Sequence, residues 1–250
     1  MGQWMDGYLS KLEEVRQENL LAGGTSRIEV QHGLGKLTAR ERIELLADPG
    51  TFEELGSAVR EFRAFPDSGD KPSPGDGVIM GLAKVSGRPA MVYSMDFTVM
   101  SGSFGDQGVW KIAELVQMAG QEQMPIVGIF DSAGTRVSIR KGSVGLFGIA
   151  RVLKNYSHYS GVIPQIALVL GPCTGPMAEV PVLSDFLIMN SKTGFLWLGG
   201  PIESDDAGSA DFHMRESGQC HLVADSDQEA IDLCKKILQF IPQNCWEKPA

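Results

Sequence analysis

Two glycine-rich stretches carry the residue types best suited to holding a negative charge. They are Asp131-Ser132-Ala133-Gly134-Thr135-Arg136 and Gly171-Pro172-Cys173-Thr174-Gly175-Pro176, each following a short apolar run and preceding a helical pattern. In open α/β folds, loops at the carboxyl ends of strands gather ligands. Their backbone N–H groups, with the positive end of a following helix, can stabilise an anion or a developing oxyanion. The same glycines also suit plain strand-to-helix turns, and local spacing does not separate the two readings. Arg136, Arg140 and Lys141 put three basic side chains within six residues of a chain whose formal net charge is −9. Such a cluster can meet phosphates or can be a solvated loop. Glu179 can transfer protons if an apolar pocket raises its pKa, or can be a first-turn glutamate favoured by the helix dipole. His213 and His221 are candidate proton carriers that read equally as packing residues. Cys173, Cys220, Cys234 and Cys245 form no CxxC pair and have no histidine at zinc spacing, so no metal site is expected. They read as reduced thiols of a cytoplasmic protein.

The elements that must position these residues follow from periodicity. Residues 4–22 predict a helix, with Met5, Tyr8, Leu9, Leu12, Val15 and Leu20 near the 3.6-residue period and Gly23-Gly24 as the stop. Thr38 and Glu41 form a capping box that opens a second helix, ended by Asp48-Pro49-Gly50. These helices make residues 1–50 an expected arm and residues 51–250 the body. In the body, residues 78–85 and 90–97 read as a hairpin across Ser86-Gly87-Arg88. A helix over 106–121, a buried strand over 125–131, a helix over 143–158 and a strand over 165–170 follow. Further strands are expected at 186–190, 195–198 and 221–224, then a helix from the Ser226 cap to about 240. Alternation of this kind gives an α/β domain. An acidic chain with 21 % charged and 43 % hydrophobic residues is not built to coat a polyanion, so no nucleic acid partner is expected. No apolar run reaches the roughly 18 residues of a membrane span.

Five stretches together carry a family resemblance. Gly35-Lys36-Leu37-Thr38-Ala39-Arg40-Glu41-Arg42-Ile43 resembles the opening of the carboxyltransferase subunits of biotin-dependent acyl-CoA carboxylases and decarboxylases. Asp96-Phe97-Thr98-Val99 with Gly102-Ser103, the Asp131-Ser132 loop, Gly161-Val162-Ile163-Pro164-Gln165, and Gly171-Pro172-Cys173 continuing to Asp185-Phe186 agree in order and approximate spacing. The resemblance implies a crotonase-like (ClpP/crotonase) spiral of ββα units with an N-terminal helical arm. The family's complete chain has two such halves, and this sequence resembles the first; residues 241–249 look like the end of that half. It implies a carboxyltransferase-type subunit that handles an acyl-CoA or carrier-bound thioester through a stabilised enolate. The implied partners are a second carboxyltransferase half, a biotinylated carrier and a biotin carboxylase, in a homo- or hetero-oligomer.

On the family pattern, Gly134 and Thr135 match the loop that gives the first oxyanion donor. The second donor comes from a Gly-Gly pair that falls on Gly175-Pro176, and Pro176 has no N–H to give. After Arg136, Val137-Ser138-Ile139-Arg140-Lys141 stand where family members carry acidic or amide residues, and Arg136, Arg140 and Lys141 are the expected contacts for CoA phosphates. Glu179 lies six residues before Asp185, a place similar to that of a catalytic glutamate in crotonase-type hydratases. Asp96 and Trp197 read as structural. Two further readings stay open: a biotin-independent crotonase-like decarboxylase, hydratase or cyclase using Glu179 or His213, and a noncatalytic partner of an active subunit, which Pro176 favours.

Overall fold

In strand β4 (Ile126–Ser132) neighbouring side chains enter different cores. Ile126 and Phe130 join one apolar cluster, while Val127 and Ile129 join another on the opposite face. A strand reads as a continuous apolar run when helices cover both sides of its sheet. The computed structural model, which describes residues 2–61, 73–136, 144–199 and 206–248, bears this out.

Among the described residues eight strands form one sheet. β1 (Glu53–Glu54), β2 (Val78–Val85) and β3 (Arg88–Met95) are antiparallel neighbours. β4, β5 (Gln165–Thr174), β6 (Phe186–Asn190) and β8 (Leu222–Ala224) continue the sheet in parallel, and β7 (Phe195–Trp197) pairs with the end of β5. Helices α4 (Asp106–Gln121) and α5 (Val144–Tyr159) cover one face, where Ile112, Val116, Val152 and Tyr156 pack on Tyr93 and Phe130. On the other face Ile231, Cys234 and Leu238 of α8 (Asp227–Phe240) close the second core with Leu46 of α3 (Ala39–Leu46). This is the expected mixed α/β architecture with crotonase-like strand and helix alternation.

Within residues 1–50 the environments differ. α3 begins at the Thr38–Glu41 capping box, and Arg42, Ile43 and Leu46 are fully buried in the body. In α1 (Gly2–Leu21), Met5, Tyr8, Leu9, Leu12 and Leu20 are exposed. Between them lies α2 (Thr25–Gly33), which periodicity did not predict because its one buried side chain is the polar Gln31. A second unpredicted helix, α7 (Ala210–Arg215), is capped by Ser209.

Candidate functional site

The first bend leaves β4 at Ser132, whose hydroxyl accepts the Gly134 N–H at 3.1 Å. The Ala133 N–H goes to the Ser101 carbonyl at 2.9 Å, and the Arg136 N–H to the Phe104 carbonyl at 3.2 Å. In return the Phe104 N–H goes to the Gly134 carbonyl at 3.1 Å. Among the described residues the Thr135 amide is the one N–H of this bend without a partner, and Thr135 is exposed. Of the two residues expected to donate here, the structure therefore leaves Thr135 available and turns the Gly134 amide inward.

Arg136 holds the bend from below. Its guanidinium donates to Asp76, to the Ser103 carbonyl at 2.6 Å and to the Ser103 hydroxyl at 3.3 Å, with Glu61 3.7 Å away. Asp76 is fully buried, and its second oxygen accepts the Gly108 N–H of α4 at 2.7 Å. The expected phosphate contact at Arg136 is thus occupied by a buried carboxylate, which makes the residue a brace. Arg140 and Lys141 lie outside the described residues.

The second bend starts beside the first. Ser132 is in register with Cys173, and a Cβ placed on Gly134 would sit 2.9 Å from the Thr174 hydroxyl. Gly134 has φ 99°, a conformation open to glycine and strained for other residues. Pro172 cannot donate, so the parallel register of Pro172, Cys173 and Thr174 with Phe195, Leu196 and Trp197 directs the Gly175 N–H to the Trp197 carbonyl. Pro176 follows in a 3₁₀ turn (Gly175–Ala178). One amide of the expected Gly-Pro donor pair is drawn into the sheet, and the other does not exist. Cys173 between them is fully buried, and burial pushes its thiol far above the ordinary range, which removes it as a nucleophile.

Glu179 opens the short helix α6 (Glu179–Leu183) and lines a cavity of about 460 Å³. Val182, Leu196, Leu198 and Phe212 supply its apolar wall, and His213 stands on the same wall. The His213 Nε2 faces the Leu196 carbonyl at 2.9 Å, which can only accept, so this nitrogen carries a proton. Nδ1 meets the Ser217 hydroxyl at 2.9 Å. With both nitrogens engaged, His213 ties α7 to β7. His221 accepts the Leu187 N–H at 2.9 Å and packs against Phe186, as a structural residue does. Asp96 accepts both the N–H and the hydroxyl of Thr98, while burial pushes its carboxyl up. Among the described residues no group of three or more His, Cys, Asp or Glu side chains is arranged to hold a metal ion.

These two adjoining bends lie within a matched family region. The profile of the carboxyl transferase domain matches residues 30–250. The chain belongs to the carboxyl transferase domain family. It is 36 % identical to the propionyl-CoA carboxylase beta chain of Roseobacter denitrificans, over 98 % of this chain and 50 % of that one. It is 39 % identical to the methylmalonyl-CoA carboxyltransferase 12S subunit of Propionibacterium freudenreichii subsp. shermanii, over 98 % and 48 %. The crystal structure of transcarboxylase 12S with methylmalonyl-coenzyme A and methylmalonic acid bound superposes with a TM-score of 0.91 at 37 % identity, covering 98 % of this chain and 50 % of that one. The chain spans about half the length of the curated relatives it matches. In this carboxyl transferase domain the second bend carries Pro176, which has no N–H to donate. Local sequence reasoning missed one group beneath those bends, the buried ions around Arg42, whose partners lie too far along the chain for spacing to reveal.

Proposed function

We propose that this chain binds the thioester of an acyl-CoA at the two adjoining bends and stabilises the enolate formed when CO2 moves on or off the neighbouring carbon. The single observation that carries the reading is the Thr135 N–H, unpartnered among the described residues, at an exposed residue of the first bend, beside the second. Proton loss or decarboxylation next to the thioester puts negative charge on its oxygen. One fixed amide aimed at that oxygen lowers the barrier by about 2.7–4 kcal/mol. Pro176 withholds the usual second donor, so a complete site needs a group from elsewhere. That need, and the half-length match, support a second carboxyltransferase half as partner, in an oligomer working in the cytoplasm. Carboxybiotin on a separate carrier would supply the CO2, and no residue of this chain is assigned to it.

Calorimetry with propionyl-CoA and with free CoA tests the reading. Micromolar binding that requires the acyl group supports it; no binding leaves the chain as a noncatalytic partner. The natively purified assembly is expected to contain a biotinylated subunit. If it does not, and the assembly still turns over an acyl-CoA, the second reading stands: a biotin-independent crotonase-like enzyme. The position of Glu179 in an apolar cavity favours it. In that case Glu179→Gln lowers turnover by at least about tenfold, and an unchanged rate removes Glu179 as proton carrier.

A further inference from the structure

Arg42 is a fully buried arginine that touches both of the strands leading into the bends. Its Nη1 donates to Asp131 Oδ2 at 2.8 Å, and Asp131 is the residue before Ser132. Its Nη2 donates to the Leu170 carbonyl at 3.1 Å, the last peptide before Gly171 opens the second stretch. The third arm, Nε, donates to Asp227 Oδ2 at 2.8 Å at the start of α8. One planar guanidinium therefore ties Asp131, next to the end of β4, to the middle of β5 and anchors both to a helix.

The surroundings fix each acceptor. Asp131 also receives Lys36 Nζ at 2.7 Å and Gln31 Nε2 at 2.9 Å. Leu170 receives the Thr193 hydroxyl at 3.0 Å. Asp227 receives the Leu37 N–H at 3.1 Å and Asn190 Nδ2 at 3.0 Å. Two cations, Lys36 and Arg42, thus face two carboxylates in a closed network. Asp131 also lies directly on the second stretch, because a Cβ on Gly171 would fall 1.9 Å from its Oδ1. Any side chain there would force the two strand ends apart. Burial pulls the Lys36 ammonium down, with Asp131 opposing, while at Arg42 the two carboxylates outweigh burial and keep the guanidinium charged.

We propose that Arg42 is a positioning residue that sets how the two strands leading into the bends lie against each other, so that the Thr135 N–H meets a bound thioester oxygen. This rests on the function proposed above. A buried ion network is a poor source of stability, since apolar side chains of equal volume often serve as well. Its planar geometry is what such a replacement would lose. A displacement of about 1 Å at a reacting centre can lower rates by about 10²-fold.

Arg42→Lys tests the idea, because it keeps the charge and loses the rigid fork. In the natively assembled protein, calorimetry would compare propionyl-CoA with S-propyl-CoA, a thioether that lacks the carbonyl oxygen. The variant is expected to bind the thioether as the wild type does and to lose about tenfold of the preference for the thioester, in line with weakened oxyanion contact. A wild-type ratio in Arg42→Lys overturns the proposal while leaving the thioester site intact. A wild type without thioester preference overturns both. Should Arg42→Lys fail to fold, Asp131→Asn carries the test by removing the charge that Arg42 Nη1 grips beside the first bend: the same loss of preference is expected, and an unchanged ratio overturns the proposal.

Discussion

The bends after β4 and β5 both leave a buried parallel strand through glycine, yet their main-chain donors go to different uses. In the first, the Ser132 side chain and a neighbouring loop absorb the Ala133, Gly134 and Arg136 amides, and among the described residues Thr135 keeps a free N–H at an exposed position. In the second, prolines at 172 and 176 shape the turn, and the Gly175 amide joins the ladder to β7. The first bend is held by ion pairs from two sides, with Asp131 gripped by Arg42 and Lys36 and Arg136 gripped by Asp76. The second is held by strand pairing. A paired-bend scaffold can therefore keep its shape while the number of donors it offers changes, because shape and donation rest on different atoms.

Breaking the brace of the first bend has the largest expected effect. Arg136→Met leaves the fully buried Asp76 carboxylate without its cation, and should lower unfolding free energy by about 3–5 kcal/mol. Chemical denaturation measures this, and a loss below about 1 kcal/mol would mean the pair does not hold the bend. Next in size, Pro176→Gly adds an N–H at the start of the 3₁₀ turn. If no partner group already takes the place of that donor, turnover in the assembled protein should rise by up to about 10²–10³-fold. Unchanged turnover would show that another group already fills the role.

The smallest effect concerns Lys111, which lies fully buried in α4 and donates to the Val78 carbonyl and to the Gly75 carbonyl at 3.1 Å, beside the loop that carries Asp76. Burial pulls its pKa from 10.5 to about 8. Between these values the unfolded chain binds more protons than the folded one, so stability rises with pH. Wild-type unfolding free energy should gain about 1 kcal/mol between pH 8 and pH 9 relative to Lys111→Met. Parallel pH profiles for the two proteins would remove Lys111 as the titrating group.

Much of this arrangement is legible in the chain itself. The capping box at Thr38 and Glu41 marked the start of α3, and the apolar stripe of α4 gave its bounds at Asp106 and Gln121. Continuous apolar runs marked β4 and β5 as strands covered on both faces. α2 and α7 escaped because one buries a single polar residue and the other has six residues, too few for a periodic signal. The stripe on α1 was visible, but not that it points outward.

For the candidate site the division is sharper. The residue types alone determined that two glycine-rich bends follow buried strands and that Pro176 cannot donate, since a missing N–H is a property of the residue. Only the folded chain decided which of the other amides are free. That depends on partners such as Ser101, Phe104 and Trp197, which strand register brings in from distant segments. Likewise Arg42 meets Asp131 across 89 positions and Asp227 across 185. Periodicity is local, whereas hydrogen bonds and ion pairs are satisfied in space, so the chain announces its elements and leaves the allocation of donors to packing.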